Sequence, residues 1–296
     1  MIDPRALRTY LAVCREGSIT GAARRLNISQ PAVSVTIAQL EAVLKTSLLE
    51  RGRSGVRLTA AGSALLRRAE AMEILLRSAE AEVALAKEGI EGPLRVGGTP
   101  GALVTLLPGA VRMLEQARGR FALNVIERPD RDLIELLRKG DIEIAFVTTG
   151  IEAPPHDIEE RTCARDPFAL VVGRQMDRLA ATVSLPETAN FRWVLPEAQG
   201  AFRRQVDALF IAAEAPMPRE VIRCDSLLTT KAIVRDSDRV TILPREVVSA
   251  ELSIGVLRAI RIVDVTMSRS VGVRMLAGAQ RSVLALKLLE ALDTQA

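Results

Sequence analysis

Residues 18–34 read Ser-Ile-Thr-Gly-Ala-Ala-Arg-Arg-Leu-Asn-Ile-Ser-Gln-Pro-Ala-Val-Ser, and the head of the molecule can be read outward from them. Ser18 is placed to cap a helix on which Ala22, Ala23 and Leu26 share a face whose small side chains let another helix cross closely. Asn27, Ile28 and Ser29 make a turn. Ser29 caps the following helix, and Pro31 falls in its first turn, where an amide has no helical acceptor to lose. That helix is predicted to reach about Val43, with Val33, Ile37, Leu40 and Leu44 turned inward at steps of four, three and four. Its opposite face carries Gln30, Ala32, Ser34, Val35 and Gln39, and is short, polar and nearly uncharged. Upstream, Leu7, Tyr10, Leu11 and Cys14 form the apolar stripe of a first helix, opened by Pro4 and closed near Gly17.

Charge is divided unevenly around this motif. Residues 1–68 hold 11 Lys or Arg against 4 Asp or Glu, while the remainder hold 29 against 32. A basic head on a slightly acidic body suits a phosphate backbone, whose counterions such a head releases. The uncharged helix face suits base edges in a major groove: Gln can pair with adenine, Ser with several bases, and Ala or Val with a thymine methyl. Downstream, Leu49 to Leu58 make two short extended pieces around a Gly-bounded turn that carries Arg51, Arg53 and Arg57. One reading is a β-wing whose arginines reach a phosphate or a minor groove; the other is a solvated basic turn.

The whole string from Ser18 to Ser34, followed by Ile37, Leu40-Glu41, Leu48, Arg51 and Leu58-Thr-Ala-Ala-Gly62, resembles the signature of LysR-type transcriptional regulators. The resemblance implies a winged helix-turn-helix over residues 1–58, with DNA contacts at Ser29, Gln30, Pro31, Ser34 and Arg53; the residue reading adds Val35 and Arg51. Lys45 stands where the family usually has Gly, and Leu49 where Phe is common.

From Thr59 a long helix is expected over residues 59–89, because Gly and Pro are absent between Gly62 and Gly89. Leu65, Ala69, Met72, Leu76, Ala79, Val83 and Ala86 alternate steps of four and three along it. A seam so narrow either packs on its own chain or pairs with a second copy, which would hold two heads on a pseudo-palindromic DNA site.

Beyond Pro93 short apolar runs alternate with amphipathic helical ones. Strands are predicted at Leu94 to Gly98, Leu123 to Glu127, Ile142 to Val147, Phe168 to Gly173, Trp193 to Leu195, Val221 to Cys224, Val240 to Leu243 and near Ser270. Helices are predicted near Ala102 to Gln116, Asp130 to Lys139, Ala201 to Ala213, Ser226 to Val234 and Gln280 to Leu292. This is the pattern of parallel α/β sheets. It resembles the family's two-lobed, periplasmic-binding-protein-like effector domain at residues 90–296, with lobe one at about 93–165 and 267–296 and lobe two at 166–266. The whole is an α+β multidomain chain.

Ligands in such sheets lie at the C-terminal ends of strands, near helix N-termini. The candidate effector residues are Thr99, Gly101, Thr148, Thr149 and Ser226, and the hydroxyls of the four other than Gly101, with the helix-end amides, favour a ligand that carries a carboxylate or similar oxygens. Each hydroxyl could equally be a helix cap. The spacing of Gly97-Gly-Thr-Pro-Gly101 fits neither dinucleotide nor phosphate-loop patterns, so no cofactor is expected. A single histidine, His156, excludes His-based triads and multi-histidine metal sites, and no enzyme is expected. Three widely spaced cysteines, Cys14, Cys163 and Cys224, read as buried small hydrophobes in a reducing compartment, with a redox pair of the last two as the alternative. No apolar run approaches the length of a membrane span, and no export signal is seen, so the expected place is the cytoplasm. The expected partners are double-stranded DNA, a small-molecule effector, further copies of the chain as a dimer or dimer of dimers, and RNA polymerase. The rival reading is a ligand-independent repressor or architectural protein.

Overall fold

Each helix of the head begins where a short polar side chain serves its first turn. In the computed structural model, which describes residues 1–52, 55–117, 119–176, 178–197 and 200–294, Asp3 accepts from the Arg5 amide at 2.9 Å to start α1 (Pro4–Glu16). Ser18 accepts from the Gly21 amide at 3.0 Å to start α2 (Ile19–Leu26), and Ser29 from the Ala32 amide at 3.3 Å to start α3 (Gln30–Leu44). The ends are as specific: Gly17, Asn27 and Lys45 all take left-handed backbone, with φ of 64°, 52° and 53°. Lys45 keeps the ordinary helix-ending geometry despite its side chain, with its amide on the Ala42 carbonyl and that of Thr46 on the Glu41 carbonyl.

The three helices close on Tyr10, Leu11, Val13, Ala22, Val33, Ile37 and Leu40. The wing follows as β1 (Leu49–Gly52) and β2 (Gly55–Leu58), an antiparallel hairpin with Leu49 opposite Leu58. Glu41 fastens it to α3, one carboxylate oxygen accepting from the Leu48 and Leu49 amides at 2.7 and 3.2 Å. Thr59 caps α4 (Ala60–Lys87), and the Tyr10 hydroxyl donates to the Gly62 carbonyl at 2.9 Å. Arg15 and Glu73 pair at 2.6 Å, joining α1 to α4. The expected seam divides here: Ala69 is buried in the head's own core with Leu65 and Met72 against it, whereas Ala79, Val83 and Ala86 are exposed.

The chain packs as two units, residues 1–88 with 138–141, and residues 89–137 with the described residues from 142 onward. The second unit starts with β3 (Glu91–Gly98), α5 (Pro100–Gln116), β4 (Phe121–Glu127), α6 (Asp130–Lys139) and β5 (Ile144–Thr148), and then crosses on β6 (Ile158–Gly173). Lobe two comprises β7 (Thr182–Val183), β8 (Trp193–Leu195), α7 (Ala201–Ala212), β9 (Val221–Arg223), α8 (Leu227–Arg235), β10 (Val240–Pro244), α9 (Ser249–Ser253) and β11 (Leu257–Ile262). The chain returns on β12 (Ser268–Leu276) and ends in α10 (Val283–Asp293), which packs on α5 in lobe one.

One sheet runs through both lobes in the order β4-β3-β5-β12-β6-β10-β8-β9, with β11 also on β6 and β7 on β11. β3 is parallel to β4 and β5, and β8 to β9 and β10, while β12, β10 and β11 are antiparallel to β6. The sequence pattern predicts β6 only from Phe168 and predicts none of β7, α9 and β11. In the structure β6 starts at Ile158: its first part pairs with β12 down to Pro167 opposite Ser268, and from Phe168 it pairs with β10 and β11. The lobes are therefore joined by a paired strand, with separate apolar cores on either side, around Phe146 and Leu288 in lobe one and Trp193 and Phe210 in lobe two.

Candidate functional site

The third helix offers one candidate surface. Packing of Val33, Ile37 and Leu40 into the core turns Gln30, Pro31, Val35 and Gln39 outward, and Val35 is 54% exposed. Ser29 is exposed as well; its oxygen serves the helix cap, which leaves its hydroxyl proton to donate elsewhere. Ser34 is half-buried on the same face. Thr36, between these residues, spends its hydroxyl on the Ala32 carbonyl at 2.9 Å. Arg57 is exposed on β2. Arg53 and the Arg51 side chain lie outside the described residues. A face with Gln, Val and Ser outward and an arginine on the hairpin is able to read base edges while holding phosphates.

The second candidate is a cavity of about 370 Å³ between the two lobes of the body. Four helix N-termini border it, at Thr99 to Gly101 for α5, Arg128 to Asp130 for α6, Gly200 to Arg203 for α7, and Asp225 and Leu227 for α8. Unpaired first-turn amides favour a bound anion. The walls between them are largely apolar, with Val194, Phe202, Leu243 and Val247, and the hydroxyls of Thr148, Thr230 and Thr241 are set among them.

Thr99, Gly101 and Thr148 thus line one cavity, as the strand-end argument requires. Thr149 and Ser226 do not line it. Thr149 is 1% exposed, and its hydroxyl lies 2.7 Å from that of Thr162, because the side chain after Thr148 points to the other face of the sheet. Ser226 caps α8, accepting from the Thr229 amide and hydroxyl at 3.3 and 3.0 Å. For Ser226 the capping alternative describes the residue, whereas Thr149 caps no helix and is packed against Thr162. Cys163 lies in the core of lobe one, where burial pushes its thiol up, whereas Cys224 lines the cavity from lobe two. His156 is exposed.

Sequence reasoning missed the cavity's deepest charge. Arg269, on β12, is 3% exposed, and one terminal nitrogen donates to the Gly101 carbonyl at 3.2 Å and the Thr105 hydroxyl at 2.9 Å. The same nitrogen lies 3.6 Å from Asp166 on β6, itself 1% exposed. Burial pushes the Arg269 pKa down to about 10, still charged at neutral pH, and pushes that of Asp166 up. Gly101 is required by this neighbour: a Cβ there would sit 2.5 Å from the guanidinium. Thr241 carried a readable signal, a lone hydroxyl inside the apolar run of β10; Arg269 looks in sequence like any surface arginine.

Comparison with known proteins covers both units. The family model described as the LysR substrate binding domain matches residues 87–296, and that of the bacterial regulatory helix-turn-helix protein, lysR family, matches residues 4–63. The HTH-type transcriptional regulator PcaQ of Agrobacterium fabrum is 28% identical over 300 residues, 99% of this chain and 96% of that protein. Full-length CbnR in complex with its target DNA superposes with a TM-score of 0.70 at 23% identity, covering 100% of both chains. A full-length OxyR variant from Pseudomonas aeruginosa superposes with a TM-score of 0.66 at 22% identity, covering 99% of this chain and 94% of that one.

Proposed function

Because this chain belongs to the LysR family of DNA-binding transcriptional regulators, we propose that it is a sensor in which a small carboxylate, seated between the lobes of the substrate-binding domain, changes how α3 and the wing engage DNA. The observation that carries this reading is the convergence of four helix N-termini and four threonines on one apolar-walled cavity. Such walls accept a compact hydrocarbon body, and the amides and hydroxyls hold its oxygens. An enzyme is not required, and neither is a cofactor.

DNA contacts are assigned to Ser29, Gln30, Pro31, Ser34 and Val35 on α3 and to Arg51 and Arg53 of the wing, and effector contacts to Thr99, Gly101 and Thr148. The exposed end of α4, with Val83 59% exposed, supports pairing of two chains, and a dimer of dimers would follow from pairing of bodies. Effector-driven closing of the lobes would shift how paired bodies hold their heads, altering DNA bending and contact with RNA polymerase. This activity places the protein with the chromosome, in the cytoplasm.

Selection of bound sequences from a random duplex pool, with a salt titration on the winner, tests the DNA half. An inverted repeat with a steep salt slope is expected, and loss of all sequence preference would refute it. A screen of small carboxylates for altered footprint or bending tests the sensor half. A ligand-independent repressor would show neither at saturation.

A further inference from the structure

Asp166 and Arg269 face each other in register on β6 and β12, one residue from the step at which the chain passes between lobes. Each is tied to a different lobe. One oxygen of Asp166 accepts from the Glu246 amide at 3.0 Å, at the start of the short 3-10 helix Arg245–Val248 of lobe two. Arg269 holds the first two turns of α5 in lobe one through Gly101 and Thr105. Between them the pair is loose: at 3.6 Å it makes no hydrogen bond, and both the second Asp166 oxygen and Arg269 Nε are buried without a hydrogen-bond partner among the described residues. A desolvated ion pair that leaves a donor and an acceptor unfilled is a poor final arrangement for either charge.

Arg269 also lines the cavity. The other arginines there are differently placed. Arg203 has its Nε on both Asp207 oxygens at 2.8 Å and a terminal nitrogen on the Pro196 carbonyl at 2.7 Å. Arg128 is exposed, at the rim, and turns to the Glu127 carbonyl. Arg269 alone among these three is deeply buried with a donor left over. A carboxylate matches the guanidinium fork in two places, which the distant Asp166 oxygen does not.

We propose that Arg269 is the residue that recognises the effector's carboxylate, and that the ligand takes over a guanidinium otherwise shared across the hinge with Asp166. Arrival of the anion then weakens the charge link between the α5 turn of lobe one and the Arg245–Val248 helix of lobe two, and binding is converted into lobe movement at the crossing strands. This inference rests on the reading that the cavity takes a small carboxylate.

The experiment measures calorimetric affinities of the full chain for hexanoate, cyclohexanecarboxylate and benzoate, each beside its primary amide. The wild type is expected to bind at least one acid tenfold or more tightly than its amide. Arg269→Met reduces that preference below threefold, with Arg269→Lys in between. Asp166→Asn keeps the acceptor for Glu246 but frees Arg269 of its counter-charge, and it raises acid affinity at least threefold with the amide unchanged. If Arg269→Met preserves the preference, the carboxylate reading of the cavity stands and the role of Arg269 is overturned; if acid and amide bind the wild type equally, both are overturned. If none of the six compounds binds, both fall together. Should Arg269→Met fail to fold, Asp166→Asn decides alone, and an unaltered acid-to-amide ratio refutes the proposal.

Discussion

Lys45 ends α3 in a conformation that costs a side-chain-bearing residue about 1 kcal/mol, with its φ at 53°. Lys45→Gly relieves this strain but loosens the unfolded chain, and should stabilise the head by a net of about 0.5 kcal/mol. The near-ultraviolet transition of Tyr10, the sole tyrosine, reports that change directly. On the DNA face, Ser34→Ala should weaken specific binding by about 1 kcal/mol and leave non-specific binding unchanged. Arg57→Ala should weaken both and lower the salt slope by about 1. Equal losses in competition titrations at two salt concentrations would remove the distinction between reading and holding. Residue-level legibility follows the same physics. Thr99, Gly101 and Thr148 line the cavity because they stand where helices start at strand ends, a geometry that sequence patterning shows, whereas Thr149, one residue on, does not line it. Arg269 was unreadable, since nothing in a sequence distinguishes a buried arginine with a distant counter-charge from a solvated one.

Among the elements, the joint between α4 and the segment that leads into the wing is a tight one. A Cβ on Gly62 would lie 2.1 Å from the Leu48 carbonyl and 3.0 Å from the Tyr10 hydroxyl. Gly62→Ala must push the start of α4 off the hairpin, at a cost of about 2–3 kcal/mol in the Tyr10 transition. The helices of the head were legible to within a few residues because capping residues, apolar spacing and left-handed ends agree at each boundary. The long β6 was not. Its first half, Ile158-Glu-Glu-Arg-Thr-Cys-Ala-Arg-Asp166, lacks clean alternation because its charges find partners inside the lobe: Glu160 with Arg274 at 2.7 Å and Arg161 with Asp293 at 3.0 Å. The strand β11 escaped for a related reason, Arg258 and Arg261 interrupting its apolar run while Leu257, Ile260 and Ile262 are buried.

At the scale of the whole molecule, the sole tryptophan provides a second, separate reporter. Trp193 is fully buried in lobe two, edge-on to Phe210 at 5.3 Å, far along the chain from Tyr10. A hundredfold excess of effector over its dissociation constant should add about 2.7 kcal/mol to the body. It should therefore delay the Trp193 transition and leave that of Tyr10 in place. Unmoved transitions across a broad carboxylate panel would argue for a ligand-independent protein. The crossing strands have one further consequence, for the nascent chain. Lobe one is discontinuous: its sheet lacks β12 and its core lacks Leu284, Leu288 and Leu292 of α10 until residues 268–293 have been made. During synthesis the head can close early, while β5 waits with an unpaired edge through the whole of lobe two, a sticky intermediate of the kind that chaperones bind. Truncations that remove β12 should for that reason yield aggregates instead of a shortened sensor.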